Sequence, residues 1–235
     1  MAEENAIQVN FGKPMPLFPL DSAVLLPQQV LPLHIFEPRY VQMVQHALDG
    51  SGQIAMAVFR GADWKKSYHG RPQLRPAVCI GQIVQHEKLP ENRFNILLQG
   101  VCRARIVEEL EPSLERLYRA AYLEPLGSDE DDEQKLYGVR ERFRELLSDE
   151  PLARLTMAAP LLKHIRDDEV PTAVIVELLS FAIPTSRETR YKLLAEGDIG
   201  ERAGLVEHEL LGLGRLISRA VAQRPEPWPK GMSWN

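Results

Sequence analysis

The chain has 235 residues, 44% of them hydrophobic and 26% charged, so it can bury one large core or two small ones without a disulfide or a metal to staple it. Its net charge of −5 lies in the second half: residues 1–125 hold 13 Lys/Arg and 13 Asp/Glu, and the remainder holds 15 against 20. An acidic second half disfavours a nucleic-acid role, because backbone binding begins with an excess of Lys/Arg facing phosphate. The opening MAEENAIQVN has no apolar segment of a secretory signal, and no run approaches the roughly 20 apolar residues of a membrane span, so a soluble protein without membrane contact is expected, with the cytoplasm as default.

In chain order, residues 16–40 read PLFPLDSAVLLPQQVLPLHIFEPRY. Proline cannot donate to a sheet ladder, so Pro16 and Pro19 place the first apolar run on an edge or at a strand end. Pro27 separates the runs 24–26 and 30–33. A helix is predicted from Pro38, with Glu37 at its N-cap, Phe36 and Val41 as a hydrophobic staple, and Gly50 as its stop. His34, inside an apolar strand, reads as half-buried and hydrogen-bonded, and Glu37 and Arg39 read as structural, pairing with nearby backbone or with each other.

Between residues 54 and 123 the apolar residues fall in short runs, predicting strands at 54–59, 78–85, 93–98, 101–107 and 118–123 in an antiparallel sheet or barrel. Gly100 reads as a turn or bulge between two of them. Arg103 and Arg105 alternate with apolar neighbours, which puts both on a solvent face. Cys79 and Cys102 lie in strand-like runs without metal spacing and read as buried reduced thiols, a disulfide between strands and a zinc site being the lesser alternatives.

Residues 60–76, RGADWKKSYHGRPQLRP, form a long connection in which Trp64 and Tyr68 are interleaved with Lys65 and Lys66. That composition suits partner anchoring, single-strand stacking or simple loop packing. These four residues are the candidate partner-binding set.

The acidic run SDEDDE at 128–133 reads as linker and start of a helix carrying Leu136, Val139, Phe143, Leu146 and Leu147. Further helices are predicted from Pro171 to Pro184, from a Thr185/Glu188 capping box to Gly197, and from Asp198/Glu201 through a seam of Val206, Leu210, Leu213 and Ile217. The tail from 223 should be extended.

The runs PLFPL and VLLPxxxLPLHIFEPRY resemble the opening of the Lon amino-terminal domain, the substrate-recruiting module of ATP-dependent Lon proteases. The resemblance continues in CIGQIVQ (79–85), NILLQGVCRARI (95–106) and the helical stretch from residue 171; the family commonly has Gly where this chain has Gln28. It implies an α+β fold, with an antiparallel pseudo-barrel of about six strands and one packed helix over 1–126, a helical bundle over 127–222 and an extended tail over 223–235.

The sequence contains no GxxxxGK[ST] phosphate loop and no Ser–Lys dyad, and no residue set reads as catalytic, cofactor-binding or metal-binding. What the resemblance implies is a stand-alone, non-catalytic module that binds polypeptide clients through the β-rich part and the first helix of the second half. It would act as adaptor, weak holdase or regulator, with a separate ATP-dependent protease as a partner. A peptidase-associated enzyme component and an RNA-binding pseudo-barrel are the alternatives, the latter by fold analogy alone.

Overall fold

The computed structural model describes residues 7–21, 23–61, 64–65, 71–111, 113–127, 134–183 and 185–222. The acidic run 128–133 and the tail 223–235 lie outside the described residues. Six strands and one helix come first: β1 (Met15–Leu20), β2 (Val30–Ile35), α1 (Pro38–Leu48), β3 (Gln53–Val58), β4 (Ala77–Leu89), β5 (Arg93–Glu109) and β6 (Arg119–Pro125). Five helices follow: α2 (Val139–Ser148), α3 (Ala158–Ile165), α4 (Thr172–Ala182), α5 (Arg187–Ala195) and α6 (Ile199–Ala222).

The sheet runs β2-β5-β4-β3-β1-β6, and a further β5–β6 pairing closes five strands into a ring with β2 outside it. The antiparallel expectation fails at one pair. β1 and β3 are parallel, so the sheet is mixed and the ring is not a clean barrel. The intervening β2 and α1 form the long crossover that a parallel pair requires.

β1 is also not an edge, since it lies between β3 and β6. Its two prolines are accommodated because neither neighbour pairs along the whole strand: β6 pairs with residues 15–17 and β3 with residues 17–20. The two strands predicted at 93–98 and 101–107 are one strand, β5, whose edge is shared first with β2 and then with β6.

Gly100 sits at a bulge in β5. The register passes from Gly81↔Gly100 to Ile80↔Cys102 and leaves Val101 unpaired. A Cβ at Gly100 would stand 2.1 Å from the Leu26 carbonyl oxygen, because the buried segment 24–27 crosses the strand there. The strand-sized run 24–26 forms no strand and leads into a turn at 27–28: Gln28 N–H donates to Gly100 O at 2.9 Å, and Gln28 has a left-handed φ of 66°.

Strand alternation sorts the core into two faces. All five ring strands contribute to an inner cluster rich in small side chains, including Leu17, Ala55, Ala57, Val78, Ile80, Ala104, Ala121 and Leu123. The outer faces, with Ile54, Met56, Cys79, Ile96 and Leu98, join α1 and the later helices in one larger core that runs on to Phe143, Leu179, Leu194 and Leu210. Neither cysteine is in a disulfide; Cys79 is buried and Cys102 half-buried. Burial pushes the Cys79 thiol well above its ordinary range.

The strand and helix parts meet through polar groups as well. Arg103 of β5, expected on a solvent face, is buried and grips Glu177 of α4 with two bonds of 2.8 Å, while Arg202 of α6 approaches the same carboxylate at 3.2 Å. The alternation placed Arg103 and Arg105 on one face correctly. Helices cover that face at Arg103 and leave Arg105 exposed, where it pairs with Glu124. At the other contact, Arg75 pairs with Glu188 of α5 at 2.7 Å and stacks over the Tyr191 ring, whose hydroxyl accepts from Ala77 N–H.

Helix ends follow local chemistry with small departures. α1 starts at Pro38 as expected, but Phe36 is 62% exposed and lies against His34, so no staple forms with Val41. His34 itself is exposed and bonds Asn95 at 2.8 Å. The cap of α5 is Ser186, accepting from Thr189 N–H, rather than Thr185. Asp198 caps α6 through Gly200 and Glu201 N–H, and a hydrogen bond from Lys135 holds its carboxyl below the usual range.

Candidate functional site

α1 carries Tyr40, Val41, Met43, Val44 and Ala47 buried against the ring, leaving its other side to face the β5–β6 hairpin. The hairpin end docks on that side through one side chain. Gln42 donates to Glu115 O at 2.9 Å and accepts from Leu117 N–H at 2.8 Å, which satisfies both groups of its amide on an irregular stretch of backbone. His46 adds a bond to the Tyr118 hydroxyl at 3.0 Å.

Between the start of α1 and this hairpin lies a cleft of about 810 Å³. Pro19, Pro38, Tyr40, Leu110, Leu117 and Tyr118 supply apolar surface, and Glu37, Arg39, Arg71, Arg116 and Arg119 supply charge. Phe18 supports Tyr40 edge-on at 4.6 Å, and Arg39 lies 4.5 Å over the Tyr40 ring. The volume falls in the range that encloses a drug-sized ligand or a few residues of extended peptide.

Most of the cationic groups have carboxylate partners. Arg39 binds Glu37 at 2.9 Å, as the sequence predicts. Arg119 takes Glu109 in a fork at 2.6 and 2.9 Å, and Arg71 shares that carboxylate at 3.5 Å and meets Glu111 at 3.7 Å. Arg116 differs. Its guanidinium donates to the Glu111 carbonyl at 2.7 Å, has no carboxylate partner among the described residues, and keeps a buried Nε without an acceptor. Burial pushes the Tyr118 phenol up, with Arg116 opposing that shift.

Of the candidate set, Trp64 and Lys65 are described, whereas Lys66 and Tyr68 lie outside the described residues. The Trp64 ring stacks on the buried Phe59 at 4.7 Å with an interplanar angle of 4°, and Lys65 Nζ lies 5.7 Å from the Trp64 ring. Trp64 is thus held on the protein by one face. The same connection reaches the cleft at its other end, through Arg71 and through the Pro72 carbonyl, which accepts from Arg119.

Sequence reasoning passed over residues 110–117 because they join two strands. The available signal was apolar side chains in a turn: Leu114 is fully exposed and Leu117 is 57% exposed. None of the cleft residues comes from α2.

A second possible peptide site is the open edge of β2. Gly100 N–H donates to Gln29 O, and this phase turns alternate residues of β2, Pro32 among them, towards the open side. A proline there removes a donor from the middle of the edge and blunts it against strand addition. Among the described residues no cluster of three metal-ligating side chains occurs, and no helix is long and apolar enough to cross a membrane.

Residues 14–211 match the family described as the ATP-dependent protease La (LON) substrate-binding domain. The chain belongs to this family. It is similar to the Lon protease of Desulfosudis oleivorans, at 23% identity over 89% of this chain and 26% of that protein. It is likewise similar to the Lon protease of Heliobacterium modesticaldum, at 24% identity over 98% of this chain and 28% of that protein. The chain therefore spans about a quarter of the length of these proteases. Among solved structures, the N-terminal domain of the Mycobacterium avium complex Lon protease superposes with a TM-score of 0.64 at 17% identity, covering 85% of this chain and 98% of that one. The Lon N-terminal domain protein from Xanthomonas campestris gives 0.56 at 18% identity, covering 91% and 99%. The resemblance read from residues 16–40 extends through the ring and most of the helices.

Proposed function

We propose that this protein is a non-catalytic recognition module that holds unfolded polypeptide segments in the cleft between α1 and the β5–β6 hairpin. The supporting observation is that cleft: lined by apolar side chains together with arginines, and set in a fold whose family is described as substrate-binding. Binding alone needs no reacting group. Extended segments would bury apolar side chains against Leu110, Leu117, Tyr40 and Tyr118, while the ion pairs around them hold the walls in place. Acting this way, the module would serve as an adaptor or weak holdase for a separate ATP-dependent protease, in the cytoplasm.

Trp64, Lys65, Lys66 and Tyr68 are proposed as further polypeptide-binding residues, since they belong to the sequence connection that reaches the cleft at Arg71. The stack of Trp64 on Phe59 means that truncating Trp64 lowers stability as well as any affinity.

The test is affinity for a reduced, alkylated client that cannot refold. Leu117 is more than half exposed, so Leu117→Ser should leave the melting temperature within a degree of wild type. Losing a leucine's worth of apolar burial, about 1.5 kcal/mol or more, should weaken client binding about tenfold. Unchanged affinity in the folded variant removes the cleft from the binding surface. The double variant Trp64→Ala with Tyr68→Ala, measured alongside, reports on that connection. An RNA ligand is disfavoured because Arg39, Arg71 and Arg119 are already engaged by carboxylates.

A further inference from the structure

The geometry points to a cleft selective for polypeptide segments in which an acidic side chain stands next to a large apolar residue, with Arg116 as the group that reads the acid. This inference rests on the cleft being the polypeptide site. Arg39, Arg71, Arg116 and Arg119 line the cleft, and the carboxylates paired with them are Glu37, Glu109 and Glu111, one fewer than the arginines. The excess has an address. Arg39, Arg71 and Arg119 each have a carboxylate within 4 Å, whereas among the described residues the Arg116 guanidinium has a single backbone carbonyl.

Its surroundings make that position consequential. Arg116 lines the cleft beside Leu117 and Tyr118, and its Nε is shut off from solvent with no acceptor among the described residues. Buried N–H groups without acceptors are rare, because desolvation is then uncompensated. A guanidinium in this state gains more from a carboxylate than one already paired, since a charge-assisted fork is about twice as strong as a neutral bond. The neighbouring Leu110, Leu117 and Tyr118 demand apolar contact at the same place, so the ligand must offer both features within a residue or two. An internal Asp or Glu fits better than a chain terminus, because an unfolded client presents many side-chain carboxylates and one terminal one. A cationic segment is disfavoured on the same electrostatic ground.

The experiment uses short fluorescein-labelled peptides with amidated C-termini and identical Leu and Phe positions, differing only in a central Glu, Gln or Lys. A fourth carries Gln and a free terminal carboxylate. Affinities for the whole chain are measured by anisotropy at low salt. The Glu peptide should bind at least tenfold tighter than the Gln peptide and the Lys peptide weakest. The Glu preference should shrink below threefold in Arg116→Gln and disappear in wild type as the pH falls below 4, where the peptide's own carboxylate is protonated.

Because Arg116 also holds the hairpin through Glu111, the melting temperature of the variant is recorded, and Arg116→Lys, which keeps the charge, should retain part of the preference if it folds. Equal binding of Glu and Gln peptides overturns the acid preference and leaves polypeptide binding standing. A preference kept by folded Arg116→Gln overturns the assignment to Arg116. Tight binding of the free-carboxylate Gln peptide shows that a terminus is what is read. Failure of all four to bind overturns the polypeptide site itself.

Discussion

Gln28 and Gly100 show how much a single backbone position decides in this fold. Gln28 holds a φ of 66°, and an L-residue in that region is disfavoured by roughly 1–2 kcal/mol. The position is the one where the family commonly has glycine, and the turn around Pro27 supplies the reason. Gln28→Gly should therefore stabilise the protein, by about 0.5 kcal/mol once glycine's larger unfolded-state entropy is offset, read as a higher denaturant midpoint at unchanged slope. Gly100 is the opposite case. A methyl group there would meet the Leu26 carbonyl oxygen at 2.1 Å, and Leu26 is fully buried and cannot retreat. Gly100→Ala should cost about 3 kcal/mol or more and weaken the protection of Gln28 N–H in hydrogen exchange.

At the scale of elements, the contact between the β4 entry and α5 is an ion pair stacked on a ring. Arg75 holds the Glu188 carboxyl below its usual range, so the pair stabilises the fold above the unfolded carboxylate value and is lost as pH falls through the lower folded value. Glu188 is largely exposed, and exposed pairs contribute about 0.2–1 kcal/mol. Glu188→Gln should lower the melting temperature by about 1–2 °C at pH 7 and have no effect near pH 2, with the difference closing across the acid range. A variant equally destabilised at both pH values would show that Arg75 stacks on Tyr191 without help from the carboxylate.

For the molecule as a whole, the continuous core and the Arg103–Glu177–Arg202 cluster tie the ring to the helices. Burial and the neighbouring Arg103 lower the Arg202 pKa, and Glu177 opposes them. Glu177→Gln would remove the carboxylate that two buried guanidinium groups share, a loss of about 3–5 kcal/mol. Tryptophan fluorescence and far-ultraviolet circular dichroism should report the same lowered midpoint. Two separated transitions would show that the strand and helix parts unfold independently.

Much of this was legible in the chain. Short apolar runs mark the strands, Pro38 and Asp198 mark helix starts, and the run 16–40 marks the family, because these signals are local and act through neighbouring residues. The parallel β1–β3 pair, the burial of Arg103 and the cleft were not, because each depends on which distant segment arrives at a given face. Arg39, Arg71 and Arg116 lie far apart in sequence and become neighbours only when the ring closes and Gln42 draws the β5–β6 hairpin onto α1. Alternation fixes which side of a strand a residue takes; only tertiary packing decides what, if anything, covers it.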